Sequence, residues 1–212
     1  MKPIEEIAPT DRATFDRDIR PRYAPVVIRG LVKDWPLVEA GQRSPQEALS
    51  QIEALDTGAP TDIMLTPPTE KGRFFYRADM RGFNFQRQQA SLSQLSRELR
   101  RIAQEPDPPG MYAGAAPTAS HAPGFEMANP FPLADRASGA TTRIWLGNAT
   151  QVATHFDMSD NFAVVALGQR RFTLFPPEAT PDLYVGPLDV TPAGQPVSMV
   201  DPLAPDLARY PR

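Results

Sequence analysis

The pattern of hydrophobic and polar positions in the first half of the chain predicts two amphipathic helices. The first spans about residues 45–56, where Ser44 and Glu47 form a capping box ahead of apolar positions at helical spacing. The second begins near Ser91, and its leucines keep one apolar stripe through Ile102. Arginines occupy the opposite side of this second helix, which indicates a solvated face.

Short apolar runs bounded by Pro, Gly or polar residues predict strands in both halves of the chain. The predicted strands lie at residues 25–30, 62–65, 73–77, 110–113, 143–147, 161–167 and 171–175. The strands at 62–65 and 73–77 are expected to pair as neighbours across the turn between them. The two strands at 161–167 and 171–175 are expected to form a hairpin at Gly168.

Helices followed by strands indicate a mainly β chain of the α+β class, a barrel or sandwich with N-terminal helical decoration. The 25 prolines, scattered through 212 residues, disfavour a helical bundle. A hydrophobic content of 41% is enough for one sizeable core, so a single domain over residues 1–212 is expected. Neither a glycine-rich phosphate loop nor a repeat of solenoid length is present, which disfavours nucleotide-binding folds.

The charge and the cysteine content disfavour several classes of partner and exclude some kinds of site. The formal net charge of −3 gives no general attraction to nucleic acid or to anionic membranes. No apolar run reaches the roughly 20 residues of a membrane span, and the first residues do not form a secretion signal, so a cytoplasmic protein is expected. The absence of cysteine excludes thiolate metal sites and cysteine nucleophiles, so any metal ligands must be His, Asp or Glu.

The most informative candidate for chemistry is the pair His155 and Asp157, just before the predicted hairpin. Alternate residues of a strand point to one face, so the imidazole and the carboxylate can converge on one ion. They would form two-thirds of the facial triad of two histidines and one carboxylate that binds Fe(II). Chance also produces such a spacing in a chain with 15 aspartates, so a surface His–Asp pair is the alternative.

Two further candidates are weaker. His121 lies in a loop without a second type of ligand nearby, so a structural or solvent-exposed histidine is expected there. A Ser-His-Asp hydrolase can be drawn from Ser120 or Ser159 with His155 and Asp157. The chain has no Gly-x-Ser-x-Gly elbow to present such a serine, which disfavours this interpretation.

Several motifs together resemble one family. They are PVVIRGLVKDWP at residues 25–36, WLGN at 145–148, HFD at 155–157, Asn161, GQRRFTLFPP at 168–177, and residues 200–211. These stretches resemble the JmjC and cupin-like 2-oxoglutarate oxygenases, the family of the asparaginyl hydroxylase that inhibits hypoxia-inducible factor. The matching segments are spread over most of the chain, which makes the resemblance specific.

This resemblance implies a double-stranded β-helix, the jelly-roll barrel of the cupins, in which His155 and Asp157 bind Fe(II). The cosubstrate 2-oxoglutarate would chelate the metal, and the enzyme would hydroxylate a protein side chain or a small molecule. Residues 1–105 would be helix and strand decoration. Residues 140–212 would be the first part of the barrel core.

The resemblance also implies a pocket for 2-oxoglutarate. Arg170 falls where the family has a lysine that binds the cosubstrate carboxylate, and the alternative is an arginine that only closes a hairpin. Asn161 matches a polar position of the pocket. Val152 stands where the family has a threonine that hydrogen-bonds the cosubstrate, and Thr154, which flanks it, is a further candidate contact.

The family's third metal ligand is a downstream histidine, but no histidine follows His155 in this chain. The sequence is therefore expected to be a fragment in which both the barrel and the metal site are incomplete. Exposed strand edges would then favour self-association into a homo-oligomer. The alternative function is a non-catalytic cupin-like binding module.

Overall fold

The computed structural model describes residues 2–134, 139–192 and 194–211, which form a layer of helices packed on a sheet. The strands are β1 (Glu5–Ile7), β2 (Val26–Ile28), β3 (Thr61–Thr66), β4 (Arg73–Phe74), β5 (Gln86–Ala90), β6 (Gly110–Pro117), β7 (Arg143–Gly147) and β8 (Gln151–Val152). The α-helices are α1 (Arg12–Thr14), α2 (Pro36–Arg43), α3 (Pro45–Leu55), α4 (Leu92–Ile102), α5 (Thr118–His121) and α6 (Phe125–Ala128). A π-helical turn (Phe15–Ile19) and 3-10 turns at Arg20–Arg22, Pro68–Glu70 and Pro177–Leu183 complete these elements.

The central feature is a four-stranded antiparallel sheet in the order β5-β3-β6-β7. Ile63 of β3 is fully buried opposite Ala113 of β6, which places the core side of the sheet at this position. The predicted strands at 62–65, 110–113 and 143–147 are confirmed, and β6 continues to Pro117. A break in register between Ala113 and Ala116 of β6 lets this long strand bend while it stays paired with β7.

Helices α3 and α4 cover the core side of this sheet, as the apolar stripes predicted. Ser91 and Gln94 form a complete capping box at the start of α4. Leu92 and Leu95 are buried with Ile63 in the main core. The expectation of a fully solvated arginine face is wrong at one position, because the Arg100 guanidinium forms a 2.6 Å ion pair with Glu53 of α3 and joins the two helices.

Helix α2 was not predicted from the sequence. Trp35 precedes it, and the indole N–H donates to the carbonyl of Pro130 at 2.7 Å. The Asn129 amide oxygen accepts the free N–H of Leu37 at 3.2 Å in the first turn of α2. The Trp35 ring also packs edge-on against Phe125, so residues far along the chain stabilise this short helix.

The expected pairing of the strands at 62–65 and 73–77 is wrong. β3 pairs with β5 and β6, whereas β4 is only two residues long and pairs in parallel with β8. Gly72 explains the divergence, because its φ of +74° turns the chain and a Cβ there would clash with the Ala149 carbonyl oxygen. β5 pairs with β3 where the strand at 73–77 was expected. It is mostly polar and lacks the alternation of a half-buried strand, so the sequence contained no sign of it.

The expected hairpin of 161–167 and 171–175 is also wrong, because neither segment is a strand. Residues 156–175 make no backbone hydrogen bond with any other described residue. Apolar side chains favour a strand only when a neighbouring strand supplies hydrogen-bond partners, and no such neighbour lies in the described ranges. The described residues therefore form no closed barrel.

None of the helices in the described ranges combines the length and the apolar character needed to span a membrane.

Candidate metal and cosubstrate site

His155 and Asp157 lie in the segment directly after β8. The backbone is anchored just before them, where the Ser198 N–H donates to the Thr154 carbonyl at 2.7 Å. The His155 Nε2 and the Asp157 Oδ1 are 3.7 Å apart. The structure therefore brings the two predicted ligands together, with both side chains open to solvent.

A hydrogen bond sets the tautomer of His155. Its Nδ1 lies 2.8 Å from the Ala153 carbonyl, which can only accept, so Nδ1 carries the proton in the neutral ring. The lone pair then resides on Nε2, the nitrogen nearer to Asp157. Metal-binding histidines use the same kind of bond to a carbonyl to fix the ring and expose a donor nitrogen.

The Asp157 carboxylate is held by two amides. Its Oδ2 accepts from the Asn161 Nδ2 at 2.7 Å, and its Oδ1 accepts a longer bond of 3.4 Å from the Gln195 Nε2. Asn161, predicted to line a cosubstrate pocket, thus orients the candidate metal ligand. The carboxylate is about half exposed, with 48% of its side chain accessible, so an ion can reach it.

Arg170 lies beside Tyr112 of β6, a residue that sequence reasoning did not identify. Burial raises the pKa of the Tyr112 phenol above its ordinary value. A hydrogen bond from Arg170 and the charge of that guanidinium lower the pKa in part, whereas the Asp157 carboxylate raises it. Tyr112 therefore lies within electrostatic reach of both Arg170 and Asp157, so these candidate residues share one region.

The end of β7 determines where Tyr112 sits. Gly147 pairs with Tyr112 in the sheet, and a Cβ at Gly147 would clash with the Met111 carbonyl oxygen. Asn148 then fastens the start of β6, because its Oδ1 accepts from the Met111 N–H at 2.9 Å and its Nδ2 donates to the Pro109 carbonyl at 2.8 Å. These two residues of the WLGN motif therefore have a structural role that positions Tyr112.

The remaining predicted residues do not complete a metal site. Thr154 contributes its carbonyl to the backbone bond with Ser198. His121 is buried elsewhere, with Nδ1 3.1 Å from the Pro117 carbonyl and Nε2 3.2 Å from the Pro60 carbonyl, which is a structural arrangement. In the described ranges, no three His, Asp or Glu side chains lie close enough together to hold an ion.

The serine hydrolase alternative gains no support. The Ser120 hydroxyl lies 2.9 Å from the Nδ1 of His121, not of His155. The Nδ1 of His155 is occupied by a backbone carbonyl, so Asp157 does not orient the ring through that atom as a triad requires.

A cleft of about 1270 Å³ is lined by residues before and after β8, and none of the candidate site residues is among them. Arg73 and Phe75 line it, and Arg73 of β4 pairs with Gln151 of β8, the strand that leads to His155. Asp201 also lines the cleft and accepts from the Gln151 Nε2 at 3.0 Å, while its other oxygen pairs with Arg73 at 3.3 Å.

As donors, the two side chains fit a divalent transition metal, because imidazole and carboxylate are the ligands that Fe(II) and Mn(II) accept. A facial triad needs three protein ligands, and in the described ranges the structure brings only these two candidates together.

Comparisons with known proteins agree with this arrangement at the level of family. The sequence profile of the cupin-like domain matches residues 12–212, which is nearly the whole chain. No curated protein matches the chain significantly.

Proposed function

Because the chain belongs to the cupin-like domain family, we propose that it is a JmjC-type oxygenase that depends on Fe(II) and 2-oxoglutarate. The observation that carries the proposal is the His155 tautomer, whose free Nε2 lies 3.7 Å from the Asp157 carboxylate. Such an arrangement exposes two metal donors on one side of a short segment. The fold of the whole domain would be the double-stranded β-helix of the cupins.

Each candidate residue has a defined task in this proposal. His155 and Asp157 would hold the iron, and Asn161 would keep the carboxylate turned toward it. When bound, iron and 2-oxoglutarate together supply the oxidising power to hydroxylate a C–H bond with dioxygen. Arg170 would bind the far carboxylate of 2-oxoglutarate through charge-assisted hydrogen bonds. Tyr112 would hold the guanidinium in place.

The Tyr112 phenol is compatible with this division of tasks. A phenol that keeps its proton at neutral pH adds no negative charge beside Arg170. The guanidinium therefore retains its full attraction for a dianionic cosubstrate. The substrate would be a protein side chain or a small molecule.

Titration of Mn(II), as a surrogate for Fe(II), tests the metal site by calorimetry. We expect weak binding by this chain, above micromolar in dissociation constant, that tightens when 2-oxoglutarate is added because the cosubstrate supplies further ligands. Asp157→Asn should weaken the binding by about tenfold or more. The matched control is Asp160→Asn, which removes a carboxylate three positions away and should change nothing.

Two outcomes would contradict this account of the metal site. Mn(II) binding that is equally strong in Asp157→Asn would show that the ion binds elsewhere. Submicromolar binding by the wild-type chain would show that a third protein ligand exists and that the site is not limited to His155 and Asp157.

A non-catalytic cupin-like binding module is the second candidate. It is favoured by one observation, that no third metal-binding side chain joins His155 and Asp157 in the described ranges. Succinate release distinguishes the two functions, because an oxygenase with Fe(II), ascorbate and 2-oxoglutarate forms some succinate even without substrate. No succinate from a chain that binds both the metal and 2-oxoglutarate would favour the binding module.

A further inference from the structure

Side-chain packing holds residues 156–175 in place, because they make no backbone hydrogen bond with another described residue. One of these packing contacts lies close to the candidate metal ligands. The Phe162 ring packs between two rings from distant parts of the chain, at centroid distances of 5.1 Å to Phe15 and 5.0 Å to Phe131. We call these three rings the aromatic clamp. Their planes meet at 49° and 65°, and such tilted contacts between rings are favourable.

The two outer rings of the aromatic clamp are themselves anchored in the fold. Phe131 packs edge-on against the buried Trp35 at a centroid distance of 6.5 Å. Phe15 begins the π-helical turn that follows α1, and the Arg12 guanidinium of α1 donates to the carbonyl of the fully buried Leu133 at 3.0 Å. The clamp therefore ties the N-terminal segment and the main core to the segment that follows β8.

The aromatic clamp lies next to a contact of the candidate metal site. Asn161 directly precedes Phe162, and its Nδ2 donates to the Asp157 Oδ2 at 2.7 Å. Gln195 gives the same carboxylate a longer bond of 3.4 Å. Because the backbone between Asp157 and Phe162 has no hydrogen-bonded neighbour in the described ranges, a shift of the Phe162 ring would move Asn161 with it.

We propose that the two outer rings of the aromatic clamp are positioning residues for the candidate metal ligand Asp157. They act through Phe162 and the neighbouring Asn161. The clamp fixes the backbone at Phe162, and the Asn161 amide then keeps the carboxylate in place. This positioning needs no metal, and only its consequence for metal binding rests on the proposed function.

Nuclear magnetic resonance of the metal-free chain tests the positioning. The Asn161 side-chain amide, identified by its loss in Asn161→Ser, has one proton in a charge-assisted hydrogen bond. Asp157→Ala gives the position of the same signal without that bond. We expect Phe15→Leu and Phe162→Leu to move the signal toward that position, because a leucine lacks the ring contact. Phe175→Leu, the same change further along the segment, is the matched control and should not move it.

Combining two substitutions separates positioning from a general loss of stability. Phe162→Leu removes both ring contacts of the clamp, so adding Phe15→Leu should cause little further change in the Asn161 signal. Circular dichroism checks that each variant folds, which we expect because the Phe162 side chain is about half exposed. Additive shifts in the double variant, or an Asn161 signal that stays at its wild-type position in Phe162→Leu, would overturn the proposal.

Titration of Mn(II) by calorimetry then measures the consequence for the proposed metal site. Phe15→Leu and Phe162→Leu should weaken binding by up to about tenfold, the contribution of an aromatic pair, whereas Phe175→Leu should bind as the wild type does. A wild-type chain that binds no Mn(II) would refute the proposed function, and the Asn161 signal would still decide whether the clamp positions Asp157.

Discussion

At the scale of single residues, Tyr112 connects candidate residues from distant parts of the sequence. It lies on β6, yet the pKa of its phenol responds to Arg170 and Asp157 after β8. The raised pKa means that the folded chain binds the phenolic proton more tightly than the unfolded chain does. The stability from this group is therefore present below the ordinary tyrosine pKa of about 10 and is lost as the pH rises above it.

The contact between Arg170 and Tyr112 predicts a measurable titration. Absorbance at 295 nm, with Tyr112→Phe to identify the signal, should show Tyr112 ionising above the ordinary tyrosine pKa of about 10. Arg170→Ala should move this ionisation to still higher pH, because the guanidinium lowers the pKa. Arg171→Ala serves as the neighbouring control and should not move it. An unchanged curve in Arg170→Ala would show that the two side chains do not interact.

The proposed role of Arg170 in binding the cosubstrate predicts how its substitution changes the affinity for 2-oxoglutarate. Arg170→Ala should raise the concentration needed for half-maximal binding by roughly ten- to a hundredfold, the loss of one charge-assisted contact of about 1.5–3 kcal/mol. Arg170→Lys, which keeps the charge, should recover part of the affinity. Calorimetry in the presence of Mn(II) measures both variants. Equal affinities for wild type and Arg170→Ala would assign the cosubstrate carboxylate to another residue.

At the scale of elements, the turn from β7 to β8 controls the position of β6. Gly147 allows β7 to approach Met111 closely, and Asn148 bonds to the backbone on both sides of Gly110. These contacts act together, because Gly147 leaves room for the close approach and Asn148 supplies the hydrogen-bond partners of the β6 backbone. The WLGN motif is therefore explained by strand packing, without any direct part in chemistry.

Gly147→Ala should accordingly destabilise the sheet. The added methyl group clashes with backbone atoms that cannot rotate away, so we expect a loss of about 1–3 kcal/mol in the free energy of unfolding. Gly124→Ala is the control, because its Cβ would meet only the flexible end of Leu55 and should cost less. Urea unfolding followed by circular dichroism measures both. Similar losses for the two variants would argue against the close β6–β7 approach.

At the scale of the whole molecule, Asp201 ties together three distant parts of the chain. Its carboxylate, with only 15% of the side chain exposed, pairs with Arg73 of β4 and accepts from Gln151 of β8. It also accepts the N–H of Leu203 at 2.9 Å. This carboxylate is therefore one of several links between the residues after β8 and the rest of the fold, together with the Tyr76 hydroxyl, which donates to the Val190 carbonyl at 2.7 Å.

Removing that carboxylate should loosen the region around His155 as well as the segment near Asp201. In Asp201→Ala, the part-buried Gln151 amide, the Arg73 guanidinium and the Leu203 N–H lose their acceptor, and a cost of about 1–2 kcal/mol follows. Hydrogen exchange should speed up at Gln151 and Leu203, whereas amides of α4 should be unaffected. Asp206→Ala, a carboxylate on the same cleft, is the control. Unchanged exchange at Gln151 would show that β8 is held by other contacts.

The site was predictable from sequence only where its members lie close together in the chain. His155, Asp157 and Asn161 fall within seven residues, so their spacing alone indicated that they could meet. Tyr112 lies more than 40 residues earlier in an ordinary strand and has no local pattern that marks it. Its role emerged only when the sheet placed it beside Arg170.

The sequence by itself determined the local elements of this protein. Helices α3 and α4 follow from caps and apolar stripes that lie within a single element, and β3, β6 and β7 follow from short apolar runs. The tertiary structure alone decided which strands pair, because hydrogen-bond partners come from distant residues. It placed β4 beside β8 and left residues 161–167 without a strand partner in the described ranges, since apolar side chains favour a strand but cannot supply its neighbour.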